Sequence, residues 1–438
     1  MGHVVGKEVY KKLGKKIDSL PMRTPWNETF HEILTELYSE KEADVVVKMP
    51  YGLSDLKRVS MVTKYESSEL QKILAGLCSK GLVMDLWIND AYQYMPSPIV
   101  IGIFEFSMMR TGDSVDSKKL GHLFHEYLHG DDGAFWAANM KRGEKVSAIR
   151  ALPHKDAIKP SEYMEVLDYE KATSIIESTD KFSVGICSCR HEKLHVDEKT
   201  CDTPLEKCSS FGMAADYLIR NNLAREVSKS EMLENLASSI EMGLVLCADN
   251  VKKNVTFICH CCKDCCNALG GISKFGYPNT VVTSNFIAEN DLDACLGCGK
   301  CAKACPINAI EMVSVENPQT KKKKDAVIDN SICIGCGVCA LNCKNGTVSL
   351  VKREKRVLHP ETTFERVILQ SLERGTLKNQ LFDNPQSISQ KFMRGLVGGF
   401  LRLPPVKATL MSDMLRSSFL NFMTTGVKMQ GKGWVAEI

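Results

Sequence analysis

The chain has 438 residues, 44% of them hydrophobic, and a formal net charge of +3. That length accommodates two to four domains of roughly 100–200 residues, the apolar fraction excludes wholesale disorder, and so mild a charge argues against nucleic acid as the main partner. The distinguishing count is nineteen cysteines, which chains keep either as disulfides in an oxidising compartment or as metal ligands in a reducing one.

The N-terminal stretch MGHVVGKEVYKKLGKKIDSLPMRTPW is basic but has no apolar core of a secretory signal. No apolar run reaches the roughly 18 residues a spanning helix needs. A cytoplasmic protein with metal-bound cysteines is therefore expected. Residues 28–109 follow as helices and a hairpin: ETFHEILTELYS has helical apolar spacing, SDLKRVSMVTKY and SSELQKILAGLCSKGLVMDL each open on a serine cap, and GLVMDLWINDAYQYMPS turns at Asn89-Asp90. Helix, helix–turn–helix, then hairpin resembles a winged-helix domain (1–110). In DNA readers of that class the last helix carries basic residues to the groove. Here it offers mainly Lys72 and Lys80, so contact with a partner protein or a capping role is expected rather than DNA binding.

A helical connector (111–180) is expected next, through KKLGHLFHEYLHGDDGAFWAANM and PSEYMEVLDYEKATSIIEST. In 181–290, KFSVGICSC and NVTFICHCC read as strands, SSFGMAADYLIRNN and SKSEMLENLASSIEMGLVL as helices. That pattern makes a small Cys-rich α/β domain with cysteines at its strand ends. Residues 291–352 hold an internal repeat, ACLGCGKCAKACPINAI against ICIGCGVCALNCKNGTV, separated by a linker whose KKKK (321–324) reads as a solvated turn. A helical tail (353–438) closes the chain. Its segments KFMRGLVGGFLRLPP and MLRSSFLNFMTTGVKM mix large apolar residues with cations; packing on the protein's own core is expected, with a partner or a membrane surface as the alternative. The fold class expected is thus α+β and multidomain.

Each repeat spells C-x2-C-x2-C-x3-C: Cys295, Cys298, Cys301, Cys305, then Cys333, Cys336, Cys339, Cys343. With Pro306 after Cys305, this resembles the bacterial ferredoxin domain that binds two [4Fe–4S] clusters. The resemblance implies crossed ligation, because three thiolates on a tight loop reach three corners of one cube while the fourth has entered a helix and points to the other. One cluster then uses Cys295, Cys298, Cys301 and Cys343, the other Cys333, Cys336, Cys339 and Cys305. Gly297, Gly299, Gly335 and Gly337 let the loops bend and expose N–H groups to sulfur. Zinc ordinarily uses two C-x2-C pairs per ion, which is not this pattern. Lys344 stands where the family usually has proline, placing a cation near the first cluster and leaving every ligand in place.

A second set lies upstream: Cys187, Cys189, Cys201, Cys208, Cys259, Cys261, Cys262, Cys265 and Cys266. The two C-x-C pairs at strand ends turn their sulfurs to one side of one sheet, with Cys201 and Cys208 in a loop between. Nine thiols exceed what one cube needs. A third Fe–S cluster, a structural zinc and a redox-active dithiol pair all remain open. Arg190, Lys263 and His260 sit among these cysteines in sequence, either stabilising thiolate charge or simply solvated. Cys78 and Cys247 read as buried small hydrophobes on helix faces.

HEYLH (His125, Glu126, His129) and HEKLH (His191, Glu192, His195) both match H-E-x-x-H, which on a helix binds zinc with the glutamate as base. The first lacks the further histidine of metzincins, and the second is expected in a polar loop, so surface histidines are the expectation. No G-x-G-x-x-G follows a strand and no P-loop occurs, so no nucleotide site is expected. The whole arrangement looks like the larger ferredoxin-domain proteins of anaerobic bacteria and archaea. It implies an electron-transfer protein or the electron-transfer subunit of an oxidoreductase complex, passing single electrons to and from redox partner proteins. A redox-sensing regulator, or a reductase acting at the upstream cysteines, are the alternatives.

Overall fold

Asn89 and Asp90 both adopt positive φ, 51° and 59°, as a two-residue hairpin turn requires and as Asn and Asp tolerate best. They join strands β1 (Val83–Ile88) and β2 (Ala91–Pro96), paired antiparallel. The structure, a computed structural model, describes residues 2–112, 115–130, 133–139, 145–275, 281–315, 322–354 and 357–438. Ahead of the hairpin stand helices Glu28–Leu37, Glu40–Lys48, Leu56–Thr63 and Ser67–Ser79, which bury Phe30, Ile33, Leu34, Leu70 and Leu74 in one core. The caps differ from expectation. Asp55 accepts from the Arg58 N–H and Glu66 from Ser68 and Glu69 N–H, because a carboxylate is the stronger acceptor and also faces the positive helix terminus.

The cysteine-rich region is built on more strand than expected. Seven strands, β3 (Ile149–Leu152), β4 (Phe182–Ile186), β5 (Glu206–Phe211), β6 (Ala224–Glu226), β7 (Val245–Asp249), β8 (Phe257–Cys261) and β9 (Val281–Val282), pair in the order β6-β4-β5-β8-β7-β3-β9. All pairings are antiparallel except β3 with β9. The SSF read as helix is the end of β5, and the helix starts only at Gly212. The segment SKSEMLENLASSIEMGLVL is a helix only over Lys229–Glu241, capped by Ser228; Gly243 at φ 65° ends it and Val245 opens β7. β7 is buried along its whole length, and a short apolar run buried on both faces looks the same as a buried helix in sequence. Cys247 therefore lies on a strand, not a helix. Likewise, the connector contributes β3 to the sheet, pinned by buried Arg150, which donates to the carbonyls of Asp249 and Tyr169.

The repeat folds as two hairpin-like halves. β10 (Phe286–Asn290) pairs antiparallel with β13 (Val348–Lys352), and β11 (Ile310–Ser314) with β12 (Lys324–Ile328). One-turn helices Lys300–Ala304 and Val338–Leu341 follow the two cysteine loops. The expected lysine turn is tighter than a solvated one: Lys321 lies outside the described residues, Lys322 pairs with Asp325 and donates to the Leu292 carbonyl, and Lys324 opens β12.

The tail is helical, with helices Thr363–Arg374, Leu377–Leu381, Ile388–Leu401, Pro404–Leu410 and Arg416–Met429 around a core of Phe364, Ile368, Leu372, Leu377, Leu420 and Met423. It is tied to the N-terminal helices by Arg58–Asp383, by Arg374 on the Pro21 carbonyl and by Lys432 on the Leu53 carbonyl. Helix Ile388–Leu401 is only partly absorbed. Ile388, Phe392, Leu396 and Phe400, four residues apart along one face, are exposed by 86, 70, 62 and 58%. No described helix is long and apolar enough to cross a membrane.

Candidate metal centres

The two cysteine loops of the repeat superimpose in backbone logic. Gly297 and Gly335 both take φ 66°, and Gly299 and Gly337 take 73° and 88° as the left-handed caps of their helices. A Cβ at Gly297 would stand 2.2 Å from the Lys324 carbonyl oxygen, and one at Gly335 2.1 Å from that of Phe286. Only glycine permits either loop to close so tightly on the neighbouring strand.

Two cavities open beneath these loops. One is lined by Cys295, Cys298, Cys301 and Cys343, the other by Cys305, Cys333, Cys336 and Cys339. Each therefore gathers three cysteines of one motif and the last of the other. The electrostatic neighbourhoods repeat the grouping: Cys301 feels Cys295, Cys343 and Cys298, whereas Cys336 feels Cys339, Cys333 and Cys305. Backbone N–H groups of Gly297 and Ala309 donate to the sulfurs of Cys295 and Cys305, and the Thr347 hydroxyl meets Cys343 at 3.3 Å. Burial raises the Cys336 and Cys301 thiols, while hydrogen bonding outweighs burial at Cys295 and Cys343 and lowers them. Buried thiolates of that number need a cation, and four soft sulfur donors about one apolar cavity suit iron–sulfur clusters. The first cavity is near the surface, with Cys298 exposed and Leu296 67% exposed; the second is walled by Ile307, Ile310 and Ile334. Lys344 borders the first.

The nine upstream cysteines divide into two groups. Cys187 occupies the position just before helix Ser188–His195 and Cys189 lies in its first turn, so this C-x-C pair is not a strand end. Cys208 is on β5 rather than in a loop, and Cys259 and Cys261 share one face of β8. Neighbouring thiols shift one another's protonation along the series Cys187, Cys189, Cys266, Cys261, Cys259 and Cys208, which places these six in one group. Cys247, opposite Cys259 across β7 and β8, joins this group at Cys261. Sequence reading missed it; the signal was a cysteine in an apolar run that pairs with a cysteine-bearing strand.

The remaining three converge elsewhere. Cys201 Sγ lies 3.6 Å from both Cys262 and Cys265 Sγ. Arg190 is fully buried between the groups and donates to the carbonyls of His260 and Pro204. The neighbouring Cys265 thiol and the Arg190 guanidinium bring the Cys262 thiol down against the effect of burial. Lys263, between Cys262 and Cys265, donates to the Lys303 carbonyl and to Asn308 Oδ1, both 3.1 Å, which fastens the turn to the ferredoxin-like repeat beside Cys305. His260 is not among the thiols. The two-residue period of β8 puts it on the opposite face from Cys259 and Cys261, where it meets Ser209 Oγ at 2.8 Å and burial holds it neutral, down to about 3.

Both H-E-x-x-H stretches are helical, in Ser117–His129 and Ser188–His195, and the second is not in a loop. The helices pack together where Gly121 leaves room for His195. Glu192, fully buried, accepts from His125 Nδ1 at 2.7 Å and from Asn267 Nδ2 at 2.8 Å. His125, His129 and Glu192 lie close enough to share an ion, but Lys193 Nζ already stands 3.1 Å from His125 Nδ1 and 3.8 Å from Glu192 and supplies the positive charge there. Glu126, the base of a protease reading, accepts instead from Thr29 on the surface. The arrangement is a buried ion-pair network between two helices rather than a peptidase site.

A family described as a 4Fe-4S dicluster domain matches residues 294–347. Over 77 residues, 16% of this chain, the sequence is 35% identical to NADH-quinone oxidoreductase subunit I 1 of Koribacter versatilis (strain Ellin345). The chain spans about half the length of that relative, 47%. No solved structure matches. Residues 294–347 thus form a ferredoxin-type [4Fe–4S] domain.

Proposed function

We propose that the chain is the electron-transfer subunit of an oxidoreductase complex, with clusters held by the crossed sets Cys295/Cys298/Cys301/Cys343 and Cys333/Cys336/Cys339/Cys305. A third Fe–S centre belongs at Cys187, Cys189, Cys208, Cys259, Cys261 and Cys266. The observation that carries this reading is the lining of the two cavities, each drawing its fourth cysteine from the other motif. The relative named above, a subunit of a NADH–quinone oxidoreductase by its name, supports the subunit role.

When bound, such clusters take up and release one electron each. The protein's own residues do the rest. N–H donors of Gly297 and Ala309 spread the thiolate charge, and the isoleucines about the second cavity exclude water. Cys301 and Cys339 sense each other's charge, so the two sites adjoin. Lys263 bridges from the upstream cysteines to Lys303 and Asn308, giving the path a second end. Exposed Leu296 and Cys298 make the first site the docking point for a redox partner protein. The test is redox cycling of the anaerobically purified chain. Dithionite bleaches its visible absorption and a one-electron mediator restores it over repeated cycles; a single bleaching with release of iron contradicts the reading.

A membrane-surface contact through the tail is the second element of the proposal. It is supported by the exposed stripe Ile388, Phe392, Leu396 and Phe400 and by charge: residues 388–438 carry seven cations against two carboxylates. Flotation with lipid vesicles tests it.

A further inference from the structure

We infer that Cys201, Cys262 and Cys265 form a metal site of their own, separate from the six-thiol group, and that it holds one tetrahedral zinc ion with its fourth position open to water. The inference builds on the reading that the upstream cysteines bind metal, and it divides that set in two.

Sulfur spacing decides between a cluster and a single ion. A zinc–thiolate bond of about 2.3 Å puts the sulfurs of a tetrahedral site about 3.8 Å apart. Cys201 stands 3.6 Å from both Cys262 and Cys265, and the ligand atoms of all three lie within 4.8 Å of one another. A cubane holds its protein sulfurs further apart, because each binds a different iron. The same fold supplies the contrast: among the described residues no other three cysteines close to that span, including the two ferredoxin sets. The separation of the sites has a covalent cause. Cys261 ends β8 pointing to the six-thiol side, and Cys262 follows it directly, so the alternation along the strand turns the next sulfur away. Cys265 and Cys266 divide in the same way, one to each group.

The surroundings suit one divalent ion. Three thiolates and Zn²⁺ leave a net charge of −1, and the buried Arg190 guanidinium beside Cys262 supplies the matching +1. Cys262 and Cys265 are 6 and 1% exposed and pack on Leu244, whereas Cys201 is half-buried in its loop. Among the described residues no fourth histidine, cysteine or carboxylate joins the three. Bound there, zinc ties the loop carrying Cys201 to the Cys262–Cys265 turn, which Lys263 in turn holds against Lys303 and Asn308.

Metal analysis of the full chain, purified anaerobically, tests this. The wild type is expected to hold about one zinc per chain besides its iron, and Cys201→Ser/Cys265→Ser to lose the zinc and keep the iron. A wild type without zinc, or a variant that loses iron while keeping zinc, overturns the inference. Should the variant fail to fold, zinc-edge X-ray absorption of the wild type decides. Expected is a shell of about three sulfurs near 2.3 Å with one lighter atom; a shell of nitrogen and oxygen alone overturns it. Iron content reports separately on the Fe–S reading, so failure of one is distinguishable from failure of the other.

Discussion

Cys343→Ser is expected to empty the cavity beneath the first motif, not the one beneath its own. Cys343 follows the one-turn helix Val338–Leu341, and a helix of that length, at about 1.5 Å per residue, carries the next cysteine past its own loop to the neighbouring cavity. The variant should lose about four irons and retain the site walled by Ile307, Ile310 and Ile334, which a chelator strips slowly. Cys305→Ser should do the reverse and leave the site at exposed Cys298 and Leu296, which the same chelator strips quickly. Iron release measured against time for both variants reads this directly. If Cys343→Ser leaves the fast-stripping site, ligation is not crossed and the assignment of both cavities fails.

Phe392→Asp/Phe400→Asp is expected to abolish co-flotation of the chain with phosphatidylglycerol vesicles. The two rings are 70 and 58% exposed on the outer face of helix Ile388–Leu401, and burying a large apolar side chain is worth about 2 kcal/mol, so losing both lowers partitioning roughly a thousandfold. The helix lies flat in this account, since it is too short to span. Lys391, Arg402 and Lys428 are exposed. Arg394 and Lys407 donate to carbonyls rather than to carboxylates, whereas Lys432 turns inward to the Leu53 carbonyl near Asp383 and Asp55. Each cation near an anionic leaflet adds about 1 kcal/mol, reduced by salt, so wild-type binding should weaken on phosphatidylcholine vesicles and at high ionic strength. A variant that floats like the wild type contradicts the assignment. So does a wild type that ignores vesicles and instead doubles its mass with concentration, which would assign the stripe to a second copy.

The ferredoxin-like repeat was the most legible in sequence, because its chemistry is local: four cysteines at fixed offsets in each motif and glycines where φ must be positive. The hairpin at Asn89-Asp90 was legible for the same reason. The grouping of the upstream cysteines was not, because it is set by strand pairing. Cys208, Cys259 and Cys247 come from strands far apart in the chain, and only the order β5-β8-β7 aligns them. Nothing local separates Cys261 from Cys262, yet their sulfurs serve different groups. The seven-stranded sheet was under-read where burial on both faces removes periodicity, at β7, and where a strand runs straight into a helix, at Phe211-Gly212. HEKLH was misplaced because its polar residues suggested a loop, while in the fold Glu192 and Lys193 are buried against the helix carrying His125. Charge that is paired across two helices cannot be seen from either one.

Iron and acid-labile sulfide per chain, after anaerobic purification, test the central claim most directly. Two ferredoxin-type clusters and a third centre at the six upstream thiols predict about twelve irons with matching sulfide. About eight irons, with sulfide to match and no change on replacing Cys259 and Cys261, would contradict a third iron–sulfur centre.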